Sequence, residues 1–247
     1  MYKSFKVLAI ARATRIFFLA LFIAVGIGSA SADSNVVNIF PFDKISAKGG
    51  VKINYRCVAD SAGLAVVESA RGAKDVELNI KKGELSVKPV RESDFSEWPV
   101  VTVYSAYLTG VSSEDNAHIS AQLSTIVPEF SANVTGNGKI TVENLDCTSA
   151  RASLSTGSGK IIMSGKCINA TYTLVGTGSI EASALQAETV KCNVTGTGSI
   201  GCDASETLDV RGLGSTRIFY KGQPDIRKTG AAKIFPLSSE TWEETQN

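Results

Sequence analysis

The sequence predicts an all-β fold, a parallel β-solenoid of about twenty-residue turns capped by N-terminal strands. Three observations predict it. A G-x-G triplet recurs through the second half, with first glycines Gly136, Gly157, Gly176, Gly196 and Gly212 spaced by 21, 19, 20 and 16 residues. Residues before each triplet alternate between apolar and polar with period two, the pattern of a strand with one buried face. An isoleucine follows each triplet, at Ile140, Ile161, Ile180, Ile200 and Ile218.

The first 32 residues stand outside this pattern. Lys3, Lys6, Arg12 and Arg15 give a positive start, Ile16 to Ile27 is an apolar run, and Ala30-Ser31-Ala32 supplies the small residues of a signal-peptidase site. The run is shorter than the ~18–20 apolar residues that span a bilayer. Residues 1–32 therefore read as a cleaved signal peptide that leaves no transmembrane span behind. Export to the periplasm, the outer surface or the medium follows. The whole chain has 25 basic and 24 acidic residues, and the leader holds four basic and no acidic ones, which leaves 21 against 24 and a net charge of −3. Such a balance gives no electrostatic reason to expect nucleic acid as a partner.

Residues 33–237 read as one all-β domain, with N-terminal strands over 33–110 and solenoid turns over 111–237, followed by a polar tail at 238–247. In the first half, strand-like runs begin at Phe42, Ala62, Asp75 and Val100, and Lys82-Gly83 reads as a hairpin turn. These strands are expected to begin or cap the stack, because an exposed sheet edge invites aggregation. His118 and Ile119 are expected in an irregular first turn. The turns that follow predict interior columns. One is Phe130, Ala150, Ala170 and Val190; a second is Ala132, Ala152, Tyr172, Cys192 and Leu208; a third is Val134, Leu154, Leu174, Val194 and Val210. The isoleucines begin the next strand of each turn, and Val142, Met163, Ala182, Cys202 and Tyr220 continue its inward face.

Gly136, Gly138, Gly157, Gly159, Gly176, Gly178, Gly196 and Gly198 are read as structural, placed at bends that need positive φ or close backbone approach. They do not make a dinucleotide fingerprint, since each triplet runs into a strand and lacks a third glycine in place.

Taken together, several motifs resemble one family. They are F-x-x-I-x-A-x-G-G-V from Phe42 to Val51, G-E-L-x-V from Gly83 to Val87, the serial G-[ST]-G-[KS]-I turns, and Y-x-G-x-P at Tyr220, Gly222 and Pro224. The chain resembles the head GIN domain over about residues 38 to 235. That domain of unknown function, described as a "putative auto-transporter adhesin head", occurs in exported bacterial proteins. The resemblance implies a right-handed parallel β-helix at the cell envelope, with no established reaction. The aspartate common after the family's G-S-G is replaced here by Lys139, Lys160, Ser179, Ser199 or Ser215.

Candidate chemistry is sparse. The five cysteines are Cys57, Cys147, Cys167, Cys192 and Cys202, an odd number, so at least one stays unpaired within the chain. Cys147 and Cys167 fall at the same position of successive turns, where stacking puts their Cα atoms within reach of a disulfide; a ladder of two reduced thiols is the alternative. Cys192 and Cys202 flank one G-T-G bend and form a second candidate pair. With no C-x-x-C and a single histidine, His118, no metal site and no cofactor is expected. The acids of the turns, Glu143, Asp146, Glu181, Glu188, Asp203, Glu206 and Asp209, do not recur in one column, so paired catalytic carboxylates are not expected. Phe95 and Trp98 lie in the irregular segment RESDFSEWP and are read as a contact surface for a sugar or a protein, or as a plug over the end of the stack. The sequence thus points to an exported, non-enzymatic module for adhesion or surface binding, its partner a surface glycan or an envelope protein. A structural component of the envelope and a polysaccharide lyase or hydrolase on the same fold are the alternatives.

Overall fold

The computed structural model describes residues 33–237, and these form strands almost throughout, with three short 3-10 turns and no α-helix among them. Residues 1–32, read above as a signal peptide, and the tail at 238–247 lie outside the described residues. The first half supplies β1 (Asp33–Asn38), β2 (Lys44–Lys48), β3 (Lys52–Cys57), β4 (Leu64–Ser69), β5 (Val76–Lys81), β6 (Glu84–Pro89) and β7 (Val100–Ser105). The second half supplies β8 (Gly110–Asp115), β9 (His118–Gln122), β10 (Val127–Gly136), β11 (Lys139–Ser155), β12 (Lys160–Gly176), β13 (Ser179–Gly196), β14 (Ser199–Gly214), β15 (Arg217–Lys221), β16 (Asp225–Gly230) and β17 (Lys233–Pro236). All seventeen join one sheet, curled into a β-solenoid of about 6 turns.

Parallel pairing aligns equivalent residues of successive turns. One column runs Val101, Ile53, Ile119, Ile140, Ile161, Ile180, Ile200 and Ile218, each no more than 2% exposed. Across the interior another runs Leu85, Ile45, Val111, Ala132, Ala152, Tyr172, Cys192 and Val210. β-Branched side chains suit the pleated interior, and each fully buried isoleucine contributes about 1.5–3 kcal/mol. No single turn could bury this surface; stacking does.

Order in space departs from order in the chain. The turn made by β2 and β3 lies between that of β6 and β7 and that of β8 and β9. β4 pairs antiparallel with β7, β1 with β4, and β5 with β6, so antiparallel strands close the N-terminal end. The strands of the first half thus belong to the same sheet as the turns. His118 and Ile119 lie in a regular strand, not an irregular turn: β9 pairs in register with both β3 and β11. The partner that makes this strand regular comes from residues 52–56, far away in sequence.

The fifth turn needs a second correction. Leu208 pairs with Val190, Val210 with Cys192, and Gly212 with Val194, so the expected columns are displaced by two residues there. The sequence aligns Gly212 with Gly196, but the partner of Gly196 is Gly214, which takes the left-handed conformation with φ +103°. Irregularities in the corner after Ala182 absorb the difference in length. Thr216 occupies the place of the second glycine, fully buried, and its hydroxyl donates to the carbonyl of Gly196 at 3.0 Å. Among the described residues no helix is long and apolar enough to cross a membrane.

Candidate functional site

The segment between β6 and β7 passes over the outward face of the sheet. A 3-10 turn at Phe95–Glu97 sets two aromatic rings down on β3 and β9. Phe95 and Trp98 meet edge to face with centroids 4.7 Å apart. The imidazole of His118 completes the group, 5.2 Å from Phe95 and 5.5 Å from Trp98. The Lys52 ammonium stands 4.0 Å above the centre of the Phe95 ring, a cation–π contact. Trp98 Nε1 donates to the carbonyl of Ser93 at 2.9 Å, which fixes the indole within its own loop. Against it lies Gly50, where an added Cβ would come within 2.5 Å of Nε1, so glycine is what lets the indole approach the backbone this closely.

The sequence-predicted pair is thus brought together, and on the side of the sheet. Trp98 is half-buried, while Phe95 remains 52% exposed. Sequence reasoning missed Lys52 and His118 as their partners. The available signal was positional: each is the residue just before a column isoleucine, Ile53 and Ile119, and must point outward by the alternation of the strand. Burial first, then the charges of Lys139 and Lys52, hold the His118 imidazole below its usual pKa.

Cys147 and Cys167 are register partners in β11 and β12. All five cysteines are free thiols in the structure, so neither candidate bridge is formed there. The two thiols are coupled: the contact with Cys167 drives the pKa of Cys147 up, and that of Cys167 is lowered by accepting the interaction. They open onto a groove lined also by Asp146 and Lys166, which form an ion pair at 3.0 Å, and rimmed by the exposed Ile126 and Ile168. Treated with excess oxidised glutathione, the pair is expected to lose two protons and two electrons to the disulfide reagent and close as Cys147–Cys167. Peptide mapping without reduction would identify the bridge; adducts confined to Cys57 would refute it. The second pair, Cys192 and Cys202, is wholly buried, with each thiol against the other.

Several of the turn acids are tied to basic side chains: Asp146 to Lys166, Glu181 to Lys160 at 2.5 Å, and Asp209 to Arg211 at 3.2 Å. Among the described residues no group of three or more His, Cys, Asp or Glu could hold a metal ion. The predicted turn glycines are at the bends. Gly136, Gly157, Gly176 and Gly196 all have positive φ, while Gly138, Gly159, Gly178 and Gly198 are buried against the preceding turn.

These features define an all-β solenoid with an exposed aromatic group on one outer face. The chain belongs to the family described as "Putative auto-transporter adhesin, head GIN domain", whose model matches residues 41–224. Among solved structures it is similar to a putative adhesin from Bacteroides fragilis NCTC 9343, with 23% identity, a TM-score of 0.75, and 85% of this chain and 98% of that one covered. It is also similar to a putative adhesin from Parabacteroides merdae ATCC 43184, at 22% identity and TM-score 0.62 over 85% and 98% of the two chains. A third likeness is to a putative lipid binding protein from Parabacteroides distasonis ATCC 8503, at 21% identity and TM-score 0.65, again over 85% and 98%. At these identities the likeness is one of fold. No curated protein matches the chain significantly.

Proposed function

We propose that the chain is an exported, non-enzymatic surface-binding module of the cell envelope, and that the Phe95–Trp98 loop is part of its contact surface. The observation that carries this reading is the Phe95 ring, 52% exposed yet held by Trp98, His118 and Lys52 on a rigid sheet. An ordered, exposed aromatic loses little conformational freedom when a partner covers it, and aromatic residues, Phe included, are enriched in interface cores. The leader-like segment at 1–32 and the family's adhesin description support the same reading.

A glycan array and a cell-binding assay with purified residues 33–247 test it. Phe95→Ala is expected to weaken the binding found there by roughly tenfold, with the far-ultraviolet circular dichroism unchanged because Phe95 is outside the core. Binding that is indifferent to Phe95→Ala would remove the loop from the contact surface. Fractionation of the native host would locate the chain and decide which partners it can reach.

A further inference from the structure

We propose that Lys52, His118, Lys139 and Lys160, with Phe95 and Trp98 beside them, form a binding site for an acidic polysaccharide, a carboxylate-bearing sugar polymer lying along the solenoid axis. This rests on the surface-binding reading and names its ligand class. The four residues are successive register partners across β3, β9, β11 and β12. Each precedes a column isoleucine and so faces outward, one per turn, at the ~4.8 Å spacing of hydrogen-bonded strands. Like charges in adjacent register positions destabilise a sheet, yet Lys139 and Lys160 are direct neighbours. Glu181 offsets Lys160, whereas Lys52 and Lys139 form no ion pair among the described residues. Residues 33–247 carry an excess of acid, so this row is a local concentration of charge and not a consequence of composition.

Its surroundings fit a sugar better than another polyanion. The next outward row runs Asn54, Ser120 and Thr141, neutral amide and hydroxyl groups matched to sugar hydroxyls. The Phe95 ring, 52% exposed, offers apolar surface to the C–H face of a sugar ring. Nucleic-acid affinity grows with the number of phosphates neutralised, and three lysines supply few.

The test uses residues 33–247, which contain every described strand. Retention on immobilised polygalacturonate is compared with neutral dextran and with single-stranded DNA, for the wild type and for the double variant Lys52→Gln/Lys139→Gln. The expected result is salt-sensitive binding to polygalacturonate, absent on dextran, weaker on DNA, and reduced roughly tenfold in the double variant. Equal binding by the double variant, or tighter binding to DNA, would overturn the proposal. If the double variant keeps full binding to cells or neutral glycans while Phe95→Ala loses it, the acidic ligand is refuted and the surface-binding reading stands. If neither variant changes any binding, the acidic ligand at this row and the loop's place in the contact surface both fall.

Discussion

Replacing Tyr172 by phenylalanine is expected to stabilise the protein by about 1–2 kcal/mol, and replacing it by alanine to destabilise it by about 3–5 kcal/mol. The ring lies in the interior column with Ala152 on one side and Cys192 on the other, and these small neighbours make the room it fills. Truncation would leave a cavity that two rigid parallel strands cannot close. The hydroxyl is a different matter. It is the one described side-chain polar atom that is buried with no hydrogen-bond partner. Burial drives its pKa well above the ordinary phenol value, with Cys202, Cys167 and Cys192 nearby adding to the effect. A buried polar group left unsatisfied carries its full desolvation penalty, and phenylalanine removes that group while keeping the ring. Urea denaturation of both variants, followed by circular dichroism, would measure the two effects. A Tyr172→Phe protein less stable than wild type would mean that the hydroxyl has a partner in solution.

The parts of the fold that could be read from sequence are those where the chain repeats itself. Ile161, Ile180 and Ile200 form one interior column because each turn carries the same alternation and the same bend. The reading slips where the repeat degenerates. Gly212 resembles a bend glycine, but Gly214 performs that role and Gly212 packs against Val194, a distinction set by how many residues the corner near Ala182 absorbs. The insertion of the β2–β3 turn between two later ones leaves no local trace, since the long crossover that parallel pairing needs does not itself specify which strand is the partner.

The site shows the same division. Phe95 and Trp98 stand out as aromatic residues in an irregular segment, and Lys139 and Lys160 as the residues after the G-x-G triplets. Their assembly with Lys52 and His118 depends on long-range register. Residues 52 and 118 become neighbours only once β3 and β9 pair, and the loop at 95–98 reaches them because β7 flanks β3 on its other side. Alternation dictates that these side chains face outward, but the turn that lies beside them is a property of the whole stack.

Gly198→Ala is expected to destabilise the protein by about 2–3 kcal/mol, near the upper end of what overpacking a rigid interior does. A Cβ at this position would come within 2.2 Å of the carbonyl oxygen of Gly178, one turn away, and within 3.1 Å of both terminal methyl carbons of Leu174. Leu174 has other rotamers, but the carbonyl belongs to the backbone. The Ser199 amide donates to that same carbonyl at 3.2 Å, so it cannot move without disturbing the bond that sets the spacing between turns. Relief therefore requires two turns to separate locally, which weakens the nearest-neighbour contact on which a solenoid depends. Thr197→Ala, at the exposed middle of the same triplet, is the control and should change stability by less than about 0.5 kcal/mol. Thermal unfolding of the two variants side by side would separate crowding at the bend from a general sensitivity of the loop. Equal losses for both would show that contact with the preceding turn is not what demands glycine there.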